Sequence, residues 1–207
     1  MDRSSKVSEF TRALALGILA VGLLQAQTLT YQLAPGDGSR FALEVYKTGL
    51  MSGKKHVFVF EHFGGEAVFD PRRPAEAKVR FAVEAGSVVC TDTWINDGSR
   101  RKVQDTARNQ MMQADKFPQL SFVSSKAVPL GKEQYDVEGM LTIRDRTRPV
   151  LVHITVKDGV FEGSAPVRLS DFGLKPPKGV TLGLIGTRDE MAVLFKLVGK
   201  IGTPPAP

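Results

Sequence analysis

The residues of this 207-residue chain best suited to ligating a metal or moving a proton are three histidines, one cysteine and scattered carboxylates. His56 and His62 are separated by an even number of positions, so on a regular strand they would share a face. Gly64-Gly65 follow at once and make a regular strand doubtful, and Glu61 alternates to the face opposite His62. A His-His-carboxylate metal set is therefore out of phase. His153 stands between Val152 and Ile154 and reads as an outward strand residue. Cys90 closes the apolar run Val88-Val89-Cys90 and reads as a small buried hydrophobe; as the single cysteine it has no disulfide partner within the chain. Asp92 and Asp97 are an acidic pair in turn-like sequence, where carboxylates usually cap or solubilise. The chain has no Gly-x-Ser-x-Gly elbow, no Gly-x-x-x-x-Gly-Lys-Ser/Thr loop and no Gly-x-Gly-x-x-Gly fingerprint. The expectation is a protein that binds rather than catalyses, with no cofactor and no metal.

Strand periodicity dominates what must position these residues. In Phe41 to Tyr46 the residues Phe41, Leu43 and Val45 share one face. In Lys78 to Glu84 the inward set is Val79, Phe81 and Val83, while Lys78, Arg80 and Glu84 point outward, as in a sheet with one wet face. Such outward charges exclude a lipid-facing membrane barrel. Further strand-like runs occupy 57–61, 87–91, 120–124, 135–143, 150–157, 160–169 and 191–198, separated by turn signals such as Leu130-Gly131 and Asp158-Gly159. Asp158-Gly159 is the clearest hairpin, because a tight two-residue turn demands positive φ. Over 105–117, Ala107, Met111, Met112 and Ala114 recur at helical spacing, with Asp105 or Thr106 as cap and Pro118 as stop. Gly49 to Lys54 reads equally as a helical turn or a loop. About eight antiparallel strands and one short amphipathic helix make a mainly β protein, a closed barrel or a sandwich, and composition does not choose between them.

A hydrophobic fraction of 42%, a charged fraction of 24% and a net charge of +6 describe an ordinary folded chain. Its like-charge runs are short, the longest being Arg100-Arg101-Lys102, and no nucleic-acid motif accompanies them, so nucleic acid is not expected as a partner. At the start, Arg3, Lys6 and Arg12 precede the apolar stretch Ala13 to Leu24, and Leu24-Gln25-Ala26 supplies a peptidase-type site. As a helix that stretch spans ~18 Å, short of the ~30 Å hydrocarbon core. The expected organisation is a signal peptide over 1–26 cut after Ala26, a barrel domain over 27–200 without a transmembrane segment, and a Pro-rich tail over 201–207. The expected location is periplasmic or secreted.

Three segments carry a resemblance. Lys116 to Ser125 (KFPQLSFVSS) is similar to an aromatic-Pro-x-aliphatic-x-Phe-x-Ser pattern following a helix. Tyr135 to Ile143 (YDVEGMLTI) with Thr147-Arg148-Pro149-Val150 resembles Gly-x-Leu-Thr-Ile followed by Thr-x-Pro-Val, and Arg168 to Gly173 (RLSDFG) resembles Arg-x-x-Asp-Phe-Gly. Their order and spacing resemble the YceI family, exported proteins described as polyisoprenoid-binding. Asp145-Arg146, where the family usually has Gly and an aliphatic residue, points to a divergent subgroup.

The resemblance implies a lipocalin-like closed antiparallel barrel enclosing a polyisoprenoid or fatty-acyl amphiphile, for transport or storage; a homodimer is compatible with it. Burial of a chain at ~0.8 kcal/mol per methylene-sized unit makes such binding feasible without catalytic groups. The candidate tail-lining residues are Phe58, Phe60, Phe81, Met111, Met112, Phe117, Phe122, Phe172 and Phe195. In the run around Phe58 the periodicity leaves Val57 and Val59 open as the inward set instead. An anionic head group would be met by Arg101 and Lys102 beside Arg100, or by Arg144 and Arg148 around Arg146. The alternative is a barrel packed solid, acting through a protein-binding surface in the envelope.

Overall fold

The computed structural model of the protein describes residues 28–177 and 184–202. The proposed signal segment 1–26 and tail residues 203–207 lie outside the described residues. The strands are β1 (Leu29–Leu33), β2 (Arg40–Gly49), β3 (Lys55–Phe60), β4 (Phe63–Phe69), β5 (Lys78–Glu84), β6 (Val88–Cys90), β7 (Gln119–Gly131), β8 (Gln134–Ile143), β9 (Arg146–Lys157), β10 (Val160–Arg168) and β11 (Ile185–Ile201). Every pairing between them is antiparallel.

Six of the short strands form three bent long ones. β1 and β2 lie end to end along β11, with Leu33 opposite Gly199 and Arg40 opposite Lys196. β4 and β3 pair with β1 and β2 in turn, and β5 and β6 pair with β4 and β3. The barrel therefore has eight long strands in up-and-down order, closed where β11 meets β1, in agreement with the sequence reading. The first bend is built from Gly36, Asp37 and Gly38, all at positive φ (101°, 51° and 83°), where glycine costs least.

The helix α1 (Asp97–Asp105) continues as a π turn over Thr106–Met112. It begins eight residues before the expected start, because Asn96, and neither Asp105 nor Thr106, accepts the capping bond from the Ser99 amide. Its first turns are the polar run Asp97 to Lys102, which carries no apolar periodicity to reveal them. It stops at Gln113, in the left-handed conformation, rather than at Pro118. α1 lies against β6, whose outer edge has no strand partner among the described residues, and Gln104 Oε1 accepts the Cys90 amide there.

The Asp158-Gly159 hairpin forms as expected, with both residues at positive φ (50° and 76°). Gly49 to Lys54 is a pair of consecutive turns, not helix. In β8, a Cβ on Gly139 would lie 2.6 Å from the Val123 carbonyl oxygen and collide with the Phe122 ring. Gly139→Ala is therefore expected to cost about 1–3 kcal/mol through overpacking, measured by urea denaturation. An unchanged midpoint would show that β7 and β8 separate freely.

Candidate ligand cavity

Alternation turns one face of every long strand inward, and the side chains meet around a lumen of about 120 Å³. Phe60, Phe81, Phe122 and Phe195 line it with Leu, Ile and Val residues from the other strands, and Ser121 is the one polar residue among the described residues of its lining. At the α1 end the lumen shares Leu43, Leu120, Ile143 and Met191 with a wider void of about 530 Å³. Phe58, Met111 and Met112 line this mouth. Together the two spaces fall within the roughly 300–1,000 Å³ of typical ligand sites. Among the described residues, no acid, base or thiol lines the lumen.

Most of the expected lining residues are thus brought together, and β3 turns Phe58 and Phe60 inward rather than Val57 and Val59. Two are not. Phe117 sits half-buried in the turn after the helix, with Lys116 Nζ 5.0 Å from its ring centre, and lines neither space. The helix ends too early to carry it to the mouth. Phe172 is buried in the cluster of Ile143, Val167 and Met191, packed with Leu169 and Leu174, which line the mouth in its place.

The basic residues divide. Lys102 stands at the mouth, whereas Arg101 is exposed on α1 away from the lining, and Arg100 pairs with Asp97 at 2.7 Å. Arg144 donates to the Gln110 carbonyl and so ties the β8–β9 turn to the π turn. Burial lowers its guanidinium pKa. Arg146 lies over Gly173, and exposed Arg148 donates to the Thr147 carbonyl; neither lines the mouth. The expected head-group set therefore does not converge, and Lys102 is its one mouth-lining member. Sequence reasoning missed Lys47, which also lines the mouth and whose pKa burial lowers. One further step along the series Phe41, Leu43, Val45 would have found it.

Among the described residues, the histidine–carboxylate pairs occupy three places. His62 and Glu84 (3.0 Å) are exposed, since the break between β3 and β4 takes His62 off the face of His56. His153 points outward, as expected, and pairs with Asp136 at 2.6 Å. His56 Nδ1 meets Asp92 Oδ2 at 2.5 Å, and Asp92 Oδ1 accepts the Val57 amide at 2.8 Å. Asp92 and Asp97 are thus engaged separately. Cys90 packs in the core, where burial pushes its thiol up to about 11. The folded protein is accordingly expected to resist iodoacetamide at pH 8 and to react once unfolded; rapid native labelling would show that the Cys90 site opens.

Comparison with known proteins gives the arrangement a family. A YceI-like domain model matches residues 31–198. A UPF0312 protein of Pseudomonas putida (strain W619) is 26% identical over 175 residues, covering 80% of this chain and 86% of its own length. A UPF0312 protein of Photorhabdus laumondii is 31% identical over 130 residues, covering 58% of this chain and 64% of its own length. Among solved structures, Burkholderia cenocepacia BcnA superposes with a TM-score of 0.58 at 23% identity, covering 76% of this chain and 94% of its own. The Campylobacter jejuni YceI protein does so at 0.51 and 21%, covering 70% and 84%. The fold agrees with both, and the match over 31–198 decides membership: the chain belongs to the YceI-like family.

Proposed function

We propose that this protein is an exported, non-catalytic carrier that encloses the tail of a long-chain amphiphile, a polyisoprenoid or a fatty-acyl lipid, in its barrel. The observation that supports this reading best is the near-complete absence of polar groups, among the described residues, from the lining of a lumen that adjoins the mouth. Such a space is favourable for an apolar chain and for little else, since a buried polar group needs a partner that this wall does not supply. Lys47 and Lys102 at the mouth would face an anionic or polar head group. Met111 and Met112 beside them are adaptable enough to accept tails of different shape. Periplasmic or secreted location rests on the leader-like residues 1–26.

Native mass spectrometry of the protein purified from its own envelope, followed by solvent extraction, tests this. About one polyprenyl or acyl species per chain is the expected result. One observation favours a second reading, binding of another protein. Val123, Met140 and Pro149 are neighbours across the outer faces of β7, β8 and β9, and Leu151 extends the row, with 47%, 42% and 39% exposure at Val123, Met140 and Leu151. A clean apo mass that stays unchanged after incubation with isoprenoid and acyl lipids would shift the assignment to that surface.

A further inference from the structure

Beside the mouth, three residues that the carrier reading does not use converge on one point. The pairing of β3 with β6 sets Phe58 opposite Cys90, and the Thr91 amide donates to the Val57 carbonyl at 2.9 Å. Continued by one step, that register brings Asp92 opposite His56. Because side chains alternate along a strand, Cys90 and Asp92 share the face of His56. Their potential ligand atoms all lie within 4.8 Å of one another. The side chain of Asp92 has no exposed surface, and that of His56 is 12% exposed.

The surroundings hold the group in place. Trp94 stacks on the His56 ring at 5.3 Å between centres, and its Nε1 donates to the Lys55 carbonyl at 2.9 Å. The Val57 amide fixes Asp92 Oδ1, so Oδ2 is the oxygen turned toward His56. Gln104 of α1 holds the Cys90 amide, and Arg100 donates to the Asp92 carbonyl at 3.2 Å. Partners of this kind orient ligands in metal sites. The void at the mouth reaches His56, the one member of the three among its lining residues, and a fourth donor such as water would complete a tetrahedron on that side.

We propose that His56 Nδ1, Cys90 Sγ and Asp92 Oδ2 form a binding site for a borderline-soft divalent transition ion of the Zn²⁺ type. Thiolate, imidazole and carboxylate suit zinc, whereas magnesium and calcium prefer all-oxygen shells. One thiolate and one carboxylate also neutralise the two charges of the ion. Loading requires the Cys90 S–H to give its proton to solvent, His56 to present Nδ1 without a proton, and the His56–Asp92 contact to open by about 0.8 Å to tetrahedral spacing. The bound ion joins β3 to the segment leading into α1, and so secures the helix beside the mouth.

Co²⁺ titration of the purified full chain under reducing conditions tests the proposal. The expected result is saturation at one ion per chain, with a thiolate-to-cobalt charge-transfer band, the visible bands of tetrahedral cobalt, and displacement by Zn²⁺. Cys90→Ser, checked for fold by circular dichroism, should abolish the charge-transfer band and weaken binding roughly ten- to a hundredfold. His56→Gln should weaken it similarly, while His62→Gln and His153→Gln, in the exposed His-carboxylate pairs, should leave it unchanged. If either Cys90→Ser or His56→Gln fails to fold, Zn²⁺ protection of Cys90 from alkylation during partial unfolding of the unaltered chain decides the matter. Cobalt bound without a thiolate band, no binding at micromolar ion, or loss of binding in the His62 or His153 variant would overturn it. Lipid occupancy does not enter these readouts, so the site stands or falls independently of the carrier reading.

Discussion

Phe60→Ala will lower the unfolding free energy by about 3–5 kcal/mol, the cost expected for emptying a fully buried aromatic position. Phe60 is 1% exposed and packs with Val83, Ala85 and Val88, its ring edge-on to Phe41 at 5.9 Å. One side of this ring also faces the lumen, so its loss would join a new cavity to an existing one. Little collapse is available there, because the opposite wall is itself held by strand pairing. For a chain of this length the melting temperature should fall by on the order of 10 °C. Urea denaturation of lipid-free protein measures the effect, and Leu50→Ala, at a 75% exposed position, should stay within about 0.5 kcal/mol of the parent. A loss below about 1 kcal/mol for Phe60→Ala would mean that the barrel wall yields.

Phe122→Trp should abolish lipid co-purification while leaving the fold intact, with at least a tenfold loss of affinity, or about 1.4 kcal/mol. The reason is directional. The Phe122 ring already rests against the backbone at Gly139, so the added bulk of an indole has its free space toward the lumen. With only about 120 Å³ available, an indole there competes directly with a tail. Extraction and native mass measurement on parent and variant provide the comparison. Lipid retained in the variant would place the ligand elsewhere; destabilisation by about 1–3 kcal/mol with no lipid in either protein would indicate a solid core.

Strand faces were legible in the sequence wherever polar and apolar residues alternate. The inward set Val79, Phe81 and Val83 could be read directly, whereas Val57 to Phe60, apolar on both faces, needed neighbours to settle it. The helical segment 97–112 was half legible: its π turn, which holds Met111 and Met112, has an apolar stripe, but α1 before it is polar and depends on one side-chain cap at Asn96. Phe172 and Phe117 show the other limit. An aromatic near a motif says nothing about whether it faces a cavity, packs behind a wall or lies in a turn. The meeting of His56 with Asp92 depends on the pairing partner of β3, and no local pattern names that partner.

The seam that closes the barrel joins the first long strand, β1 and β2, to β11, with Tyr31 through Leu33 opposite Gly199 through Ile201 and the residues of β2 paired along the rest of β11. Loop closure over nearly the whole chain is entropically the most demanding contact in the molecule, so it belongs among the late events of folding. Until it forms, the sheet is an open trough whose long groove is accessible from the side rather than only through its end. On the carrier reading proposed above, a lipid present during folding is wrapped, while one offered afterwards must be threaded. Under that reading, loading and release are governed by different barriers, the first set by when the last strand arrives and the second by the passage beneath the helix.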